Sequence, residues 1–546
     1  MSVSSVGGTY GLSGSGMDID ALVKKLMAGQ QAKSDALLQK KTLAQWQKTA
    51  YNTVYDDISK FRDTLFNYKL QGTLSPNKVT SSNTSVATVA ANAEAAAVNH
   101  SLVVAQLASG VNLTSTASIS STSPPTMGTL ATQLGMSTTT PFSITIKNGT
   151  ATSQSITIDP LTETINDVVN KFNTAGVNVK ASYDGTLDRF FLTTTNTGTS
   201  SEINFNGSDQ NGLNFLGGNL KLSGGTTETS AGSGVYSSTP VKGLNAEFKL
   251  DGVSLSQASN TFTISGVTYS LTGVSPGATG ADIAAKLASG TAITVSVVKD
   301  TDTAVANIQS LVDSYNKILA ELNDKVNETH YKDYLPLTAA QKSAMKESDI
   351  TAWEAKAKSG LLHNDRTLAS LVNSMRDSFS SPVSGIDATY DAATGKSIAY
   401  NSAASIGITT GNYSENGKLY LDTNKLRKAL SADPEVLNKL FGASGKKADG
   451  TIDVNSQGIA GRLYDDMKTT MDQLNQIAGT TSNTQYDTQS NYAKKIEDYT
   501  AMIYNAADRF DIMQAAYYKQ FNAMEVALQQ LNSQSSWLSS VGSTSK

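Results

Sequence analysis

The sequence has no cysteine in 546 residues and only three histidines, His100, His330 and His363. Without cysteine, the chain can form no disulfide framework, no thiolate zinc site and no cysteine nucleophile. Three histidines leave little room for a histidine-bound metal. We therefore expect neither a metal nor a cofactor.

Charge is also scarce. Charged residues make up 16% of the chain, against about 25% in an average soluble protein, and the formal net charge is -4. A general nucleic-acid binder needs clustered lysine and arginine to contact phosphates. Nucleic acid is therefore excluded as a partner.

Long apolar runs are missing as well. No stretch approaches the roughly 20 consecutive apolar residues of a membrane span, so we expect no such span. The first ten residues, MSVSSVGGTY, contain neither a basic region nor an apolar one. This excludes a secretory signal peptide there, and we expect any export to use another route.

The residues that are present divide the chain by pattern. Between residues 76 and 300 the chain is rich in Thr, Ser, Gly and Asn with period-2 alternation, which predicts strands. The two ends and residues 300–380 have apolar residues at spacings of three and four, which predicts helices. Four central segments end in dipeptides that tolerate positive φ and so predict hairpins. These dipeptides are Asn148-Gly149, Asp184-Gly185, Asp251-Gly252 and Ser265-Gly266.

The central part also contains an internal similarity. Residues 142–183 and 262–298 each follow the order hairpin, short helix, strand, which predicts a β–β–α–β repeat. The stretches 115–126 and 223–240 are rich in Gly, Ser, Thr or Pro. They predict two linkers around an inserted subdomain.

Apolar stripes mark the helical parts. Steps of three and four run through residues 305–326 and again through 492–531, as in a coiled coil. An unbroken helix over the second stretch would be about 60 Å long and would need a partner helix along its length. Matching stripes cover residues 43–68 and 19–27, the latter beginning after Asp18. Such stripes suit an intramolecular core as well as an oligomer interface, but the length of the C-terminal one favours the interface.

These patterns predict a multidomain α+β fold, with a helical, coiled-coil stalk formed by both chain termini and inserted β-rich head domains. We expect seven consecutive segments. They are an N-terminal leg segment, flexible and then helical (1–42), the first part of the helical stalk domain (43–75), the first part of the β head subdomain (76–127), an inserted outer β head subdomain (128–237), the second part of the β head subdomain (238–300), the second part of the helical stalk domain with a small β hairpin (301–485) and a C-terminal coiled-coil leg (486–546).

Candidates for catalysis are weak. Carboxylate pairs such as Asp18/Asp20 and Asp465/Asp466 suit acid–base chemistry, but nearly all of the pairs abut helix starts or solvated helix faces. Asp18 and Asp300 stand where N-caps belong. The sequence GASGK at 442–446 lacks the spacing of a phosphate loop, and we expect it to be an ordinary loop. We therefore expect no catalytic residues and no enzyme.

Four separated blocks carry a specific resemblance. They are residues 11–27 (GLSGSGMDIDALVKKLM), 334–362 (with YLPLTAAQKSAM and WEAKAKSGLL), 405–422 (with SIGITTG and GKLYLD) and 518–538 (with YKQFNAME and LNSQSSWL). In this order they resemble blocks of the flagellar filament cap proteins of bacteria, the FliD family of type 2 flagellar hook-associated proteins. The repeated β–β–α–β unit resembles an insertion motif of flagellins and flagellar hook proteins.

The resemblance implies a non-enzymatic assembly factor. Members of the family cap the tip of the filament, prevent the loss of exported flagellin and promote its folding and polymerisation. The implied partners are further copies of the chain in a ring, most simply a pentamer, together with flagellin, hook–filament junction proteins and an export chaperone of the flagellar type III system. The implied location is extracellular, at the tip of the flagellum, reached by the flagellar type III pathway without a cleaved signal peptide.

In this picture the helical ends are legs that enter gaps between flagellin subunits. We expect partner and oligomer contacts on their apolar stripes. The candidate residues are Ile19, Leu22, Leu26, Ile496, Ile503, Phe510, Met513, Tyr517, Met524 and Leu531. The alternative is a surface adhesin that binds host or mucosal glycans through the β head. An enzyme of cell-wall remodelling would need a carboxylate pair converging in a cleft.

Overall fold

The computed structural model describes residues 18–123, 125–137, 139–391, 395–479 and 487–543. The chain divides into two compact units. The divisions fall between Ser75 and Pro76 and between Asp300 and Thr301. We term the unit that contains both described chain ends the helical unit, and the other the strand-rich unit.

Helices form most of the helical unit and a small part of the strand-rich unit. In chain order they are α1 (Ile19–Asn67), α2 (Gln71–Leu74), α3 (Leu130–Leu134), α4 (Ile165–Asn173), α5 (Gln210–Asn214), α6 (Ile283–Ser289), α7 (Thr301–Asn327), α8 (Ala339–Ser343), α9 (Glu347–Lys358), α10 (Arg366–Ser380), α11 (Thr423–Ala432), α12 (Val436–Phe441), α13 (Ile459–Ala478) and α14 (Asn491–Ser543).

One face of each of α1, α7, α10 and α13 contributes buried residues to the core of the helical unit, and so do α11 and α12. On α7 the buried residues Val305, Ile308, Val312, Tyr315 and Leu319 follow the predicted steps of three and four. Because these side chains are buried within the unit, the stripe of α7 is intramolecular core.

The two N-terminal stripes lie on a single helix. α1 has 49 residues and joins them without interruption. Residues 28–42 between the stripes are polar but rich in Ala, Gln, Lys and Leu, which are good helix formers. Helix propensity therefore explains why α1 continues through residues 28–42, which have no apolar stripe of their own.

The strands are short and most lie in the strand-rich unit. They are β1 (Asn77–Ser81), β2 (Ala87–Ala91), β3 (Asn99–Gln106), β4 (Asn112–Thr114), β5 (Phe142–Ile144), β6 (Lys147–Asn148), β7 (Ala151–Thr152), β8 (Ile156–Ile158), β9 (Val179–Asp184), β10 (Arg189–Thr194), β11 (Glu202–Ile203), β12 (Gly225–Glu228), β13 (Tyr236–Thr239), β14 (Val241–Lys242), β15 (Ala246–Leu250), β16 (Val253–Gln257), β17 (Thr261–Ile264), β18 (Val267–Leu271), β19 (Ile293–Lys299), β20 (Thr389–Asp391), β21 (Lys396–Ile398), β22 (Ile408–Thr410), β23 (Leu419–Leu421), β24 (Ser444–Lys446) and β25 (Ile452–Gln457).

The strand-rich unit has two main hydrophobic cores. In one, an antiparallel sheet of order β1-β19-β3-β15-β16 packs on a sheet of order β17-β18-β2. The ring of Phe262 stacks on that of Phe248 with centroids 4.6 Å apart and links the two sheets. The other core lies between Val111 and Leu222, around the sheet β4-β10-β9 and helix α4.

Two of the predicted hairpin turns are confirmed in detail. Asp251 and Gly252 both have positive φ between β15 and β16, and Ser265 and Gly266 do so between β17 and β18. The hairpin predicted at Asp184-Gly185 is also present, between β9 and β10, but its turn differs in detail. The chain turns over four residues there, and Asp188 adopts positive φ while its carboxylate accepts hydrogen bonds from Ser120 and Tyr183.

The predicted repeat is present as an order of elements. Its two helices pack differently, however: α4 contacts β9 and β8, whereas α6 contacts β3 and β15. Each helix therefore has its own sheet environment.

The two predicted linkers are wrong. Ser115 and Ile119 are buried in the second core of the strand-rich unit, and residues 223–240 contain the hairpin of β12 and β13. The loop predicted at 442–446 is also partly wrong, because Ser444–Lys446 pairs with β25. Neither the hairpin of β12 and β13 nor that of β24 and β25 has a strand-like sequence pattern at its first strand.

The predicted fold class is confirmed: the chain is a multidomain α+β protein with long N- and C-terminal helices and a strand-rich insertion. The finer division into seven segments stays a prediction. Its boundary at 42/43 falls inside α1, the boundary at 237/238 falls inside β13, and the one at 485/486 lies outside the described residues.

Candidate functional site

The candidate site is the pair formed by α1 and α14. α1 begins where the sequence predicts it, because the Asp18 carboxylate accepts a hydrogen bond of 2.9 Å from the Ala21 amide. This satisfies one of the free amides of the first turn. The Gly/Ser lead-in before Asp18 lies outside the described residues.

The first turns of α1 pack on the middle of α14. Ile19, Val23 and Met27 are spaced by four, so they share one face of the helix, and all three are buried. They form a cluster with aromatic side chains of α14, which are Phe510, Tyr517, Tyr518 and Phe521. Burying each aliphatic side chain contributes about 1.5–3 kcal/mol as an upper estimate. The Tyr518 hydroxyl also donates to Asp20 Oδ1 at 2.9 Å.

At the other end of the pair, the start of α14 is fixed by an ion pair. Lys48 Nζ lies 3.0 Å from Asp487 Oδ2, with the two side chains 10% and 11% exposed. Asp487 also accepts hydrogen bonds from the hydroxyl and the amide of Ser490. Although burial by itself raises the pKa of Asp487, these bonds and Lys48 outweigh it and hold the pKa well below its ordinary value.

A second contact sits beside this ion pair. The rings of Tyr51 and Tyr492 lie 5.7 Å apart, and the Tyr51 hydroxyl donates to Asp365 Oδ2 at 2.6 Å. Burial, followed by the Asp365 carboxylate, raises the pKa of Tyr51. Because Tyr51 meets Tyr492 while Asp20 meets Tyr518, α1 and α14 run antiparallel.

The structure sorts the predicted contact residues into two groups. Ile19 is buried, and four residues on α14 are partly buried; these are Ile496, Ile503, Phe510 and Tyr517. The other five are exposed, with exposed fractions of 37% for Leu22, 51% for Leu26, 38% for Met513, 41% for Met524 and 60% for Leu531. Only Ile19, Phe510 and Tyr517 of the ten share the α1–α14 cluster.

Some residues of this region were missing from the predicted set. Val23, Met27 and Phe521 hold the cluster together, and spacing by four from Ile19 was the signal for the first two. Trp537 and Leu538, within one of the resembling blocks, are 66% and 65% exposed.

α14 extends well beyond this cluster. From Phe521 it continues to Ser543, a further length of about 33 Å at 1.5 Å per residue. In the part of the chain that the structure describes, α1 offers no packing surface there, since its first helical residue, Ile19, already lies in the cluster. The exposed apolar residues of this extension are Met524, Val526, Leu531, Trp537 and Leu538.

The carboxylate pair at 465/466 has structural partners. Ser378 donates to Asp466 at 3.0 Å and Gln457 donates to Asp465 at 2.8 Å. Burial raises the pKa of Asp466, against the hydrogen bond from Ser378. The expectation that such pairs lie on solvated helix faces is therefore wrong for Asp466, which is half-buried between α10 and α13.

Within the described ranges, no three or more His, Cys, Asp or Glu side chains are grouped so that they could hold a metal ion. No helix in the same part of the chain has the length and apolar character needed to cross a membrane. The arrangement is that of a paired-helix contact surface with exposed apolar residues.

Two family profiles match the chain. One is described as the N-terminus of flagellar hook-associated protein 2 and matches residues 15–110. The other is described as the C-terminus of flagellar hook-associated protein 2 and matches residues 243–533. The residues between the two matches include the second core of the strand-rich unit.

Known proteins resemble the chain over almost its full length. It is 28% identical over 553 residues to flagellar hook-associated protein 2 of Halalkalibacterium halodurans, covering 95% of this chain and 97% of that one. It is 25% identical over 540 residues to the Escherichia coli K12 protein of the same name, covering 96% of both. The crystal structure of the D1-D2-D3 domains of the flagellar cap protein FliD from Escherichia coli matches with a TM-score of 0.50 and 20% identity. That match covers 83% of this chain and 99% of the crystallised one, and it supports the fold.

Proposed function

Since this chain belongs to the flagellar hook-associated protein 2 family, we propose that it caps the growing tip of the flagellar filament. In this role it prevents the loss of exported flagellin and promotes the folding and polymerisation of each new subunit. We expect an assembly factor without catalytic activity.

The proposal is supported chiefly by the fact that the family matches include the paired helices α1 and α14. The two matches include both α1 and all but the last residues of α14. These helices hold each other through buried residues while they expose a second set of apolar side chains. A protein that must bind at a filament end needs such an uncovered contact surface, because exposed apolar patches mark interaction sites.

We assign the flagellin contacts to the exposed group. Leu22, Leu26, Met513, Met524 and Leu531 would be covered by flagellin at the filament tip. The partly buried group would instead hold the helix pair in shape. The exposed extension of α14 buries its apolar surface only when a partner is present. The conformational entropy lost in ordering it is therefore offset on binding.

The further partners follow from the same role. We propose that copies of the chain assemble into a ring, most simply a pentamer, and that the ring meets the hook–filament junction proteins before the filament grows. Transit to the extracellular tip would use the flagellar type III pathway with its export chaperone. In the described residues, no specific contact favours the adhesin alternative over this role.

The test is an in-frame deletion strain complemented with the full chain. We expect the deletion strain to release unpolymerised flagellin into the medium and to carry short or absent filaments, and complementation to reverse both. A deletion strain with filaments of normal length and no released flagellin would refute the proposal.

A further inference from the structure

The pair formed by α1 and α14 has two different faces. Successive residues of an α-helix advance by about 100° around its axis. On α1, Asp20 therefore lies about 60° to one side of the buried residue Val23, whereas Leu22 and Leu26 lie about 100° and 60° to the other side. The two leucines are 37% and 51% exposed.

The same division holds on α14. Tyr518 lies about 80° to one side of Phe510, which packs on α1. A stripe of exposed apolar residues lies about 40–80° to the other side and runs along most of the helix. Its members are Met502, Met513, Met524, Leu531 and Leu538.

The exposed residues of the two helices lie on the same face of the pair. Because the helices run antiparallel, turns in the same sense from the buried seam lead to the same face. The hydrogen bond from Tyr518 to Asp20 closes one face in this way, so the leucines of α1 and the stripe of α14 share the other. Leu26 is six residues from Asp20 and Met513 is five from Tyr518, which places these two side chains at nearly the same level.

This face forms an apolar groove, with Leu22 and Leu26 on one wall and the stripe of α14 on the other. Two neighbouring helices leave a groove that a third helix can fill, as in a helical bundle. Apolar anchors that recur on one helix face are typical of helix-in-groove recognition. Methionine side chains suit such a surface, because they adapt their shape to a partner.

The charges beside the groove indicate what can occupy it. No charged residue stands between 526 and 545 on the outer part of α14. Further in, Lys33 of α1 and Arg509 of α14 are exposed about 80° and 100° from the seam on the side of the groove. An occupant with a carboxylate at this end and no charge along the rest is complementary. A second copy that docked through its own groove would bring only positive charge, since neither wall includes a carboxylate.

We propose that one amphipathic helix of flagellin packs into the apolar groove as a third helix, with a carboxylate near Lys33 and Arg509. The proposal rests on the proposed function, which supplies flagellin as the partner. It adds the secondary structure of the bound segment, the face of the helix pair that receives it and the position of its charge.

Photo-crosslinking tests the occupant, because the natural chain has no cysteine and a single one can be introduced. We would attach a maleimide–benzophenone label to purified full-length Gly29→Cys or Gln534→Cys, add purified flagellin and irradiate. Both positions lie about 120° from the seam at the edge of the groove, and a Cβ at Gly29 would meet no heavy atom within 4 Å. Gln31→Cys, on the opposite face of α1, is the matched control.

The spacing of the labelled flagellin residues shows whether the occupant is a helix. Gly29 is nine residues from Asp20, and Gln534 is sixteen residues from Tyr518 in the opposite direction, so the labels stand about 37 Å apart along the pair. A helix spans this length with about 25 residues, and an extended segment spans it with about 11.

We expect labelled flagellin sites about 25 residues apart, with a carboxylate beside the site labelled from Gly29→Cys. A spacing near 11 residues or labelling of a second copy of this chain in place of flagellin would overturn the proposal. So would equal yields from the Gln31→Cys control, or no labelled flagellin at all.

Charge reversal supplies a second test. Arg509→Glu, combined with Gly29→Cys, would set like charges against each other, and labelling of flagellin should fall about threefold at low salt. The loss should be smaller at high salt, where exposed charges are screened. Lys519→Glu is the matched control, because Lys519 is exposed on the side of α14 that faces away from α1. Equal labelling of the two charge variants would overturn the assigned position of the carboxylate.

The two levels of the account fail separately. If the deletion strain releases flagellin and the natural chain restores capping, but the labelling tests fail, only the assignment of the groove is wrong. If the deletion strain behaves like the parent, the capping function is wrong whatever the labelling tests give.

Discussion

Lys48 and Asp487 form an ion pair of 3.0 Å that is almost completely enclosed between α1 and the start of α14. Enclosed charges of this kind are costly to separate, because each would lose its partner without regaining water. The hydrogen bonds from Ser490 to the same carboxylate make Asp487 the fixed point from which α14 departs. The stability of the helix pair at this end should therefore depend on this contact.

Removal of the lysine should loosen the start of α14. For Lys48→Met we expect the free energy of local opening at residues 491–500 to fall by about 3 kcal/mol, since an enclosed carboxylate is left unpaired. Hydrogen exchange is the suitable measurement, because a multidomain chain does not unfold in one step. Lys468→Met, in the exposed pair of Lys468 with Asp472, is the control and should change protection by less than about 0.5 kcal/mol. Equal effects of the two variants would contradict this role of Lys48.

The same contact predicts a pH dependence. Because the folded protein holds the pKa of Asp487 below its unfolded value of about 3.9, the contact stabilises the fold above that pH. Its contribution is lost as the pH falls further towards the folded pKa. Protection at the start of α14 should thus be constant from pH 7 to about 5 and decline below about 4. The Asp487→Asn variant, compared with its own protection at pH 7, should not show this decline. If the decline is unchanged in the variant, other carboxyl groups cause it and the prediction is wrong.

Protection along α14 should be uneven in the isolated protein. Residues 510–521 pack on Ile19, Val23 and Met27, whereas the side chains described beyond Met524 are mostly exposed. We expect fast amide exchange at residues 525–540 and slower exchange at 510–521, with protection of the outer part appearing on filament tips. Uniformly strong protection of α14 in a dilute monomer would contradict folding on binding.

The exposed apolar residues should matter for capping and little for stability. Replacing Leu26 or Leu531 by glutamine would remove roughly 1.5–3 kcal/mol of burial at a covered partner contact. We expect more flagellin in the culture medium and unchanged protection at residues 19–27. Leu38→Gln is the matched control, because Leu38 is 45% exposed on the same helix outside the proposed contact set. Equal leakage from the Leu26 and Leu38 variants would remove this assignment.

Local rules explain what the sequence could predict of the fold. The turns at Asp251-Gly252 and Ser265-Gly266 depend on two residues that tolerate positive φ, so a dipeptide is enough to locate them. The start of α1 depends on the Asp18 cap, which is equally local. The family resemblance read from the four blocks is likewise confirmed by the two profile matches.

Tertiary packing explains the failures. The hairpin of β12 and β13 lies in a Gly/Ser/Thr-rich run and has no strand-like pattern. It is held by tertiary contacts, because Tyr236 packs across Gly217 and the Phe205 amide donates to the Ser238 hydroxyl oxygen. At the candidate site, spacing placed both Ile19 and Leu22 on an apolar stripe. Which of the two is buried depends on the position of α14, which covers Ile19 and leaves Leu22 exposed.

The central claim is that the protein sits at the distal end of the filament, and labelling it there is the most direct test. Immunogold particles against the full chain should mark the free tip of each filament in electron micrographs, with none on filaments from the deletion strain. Particles spread along the filament shaft, or confined to the cell body, would contradict the account.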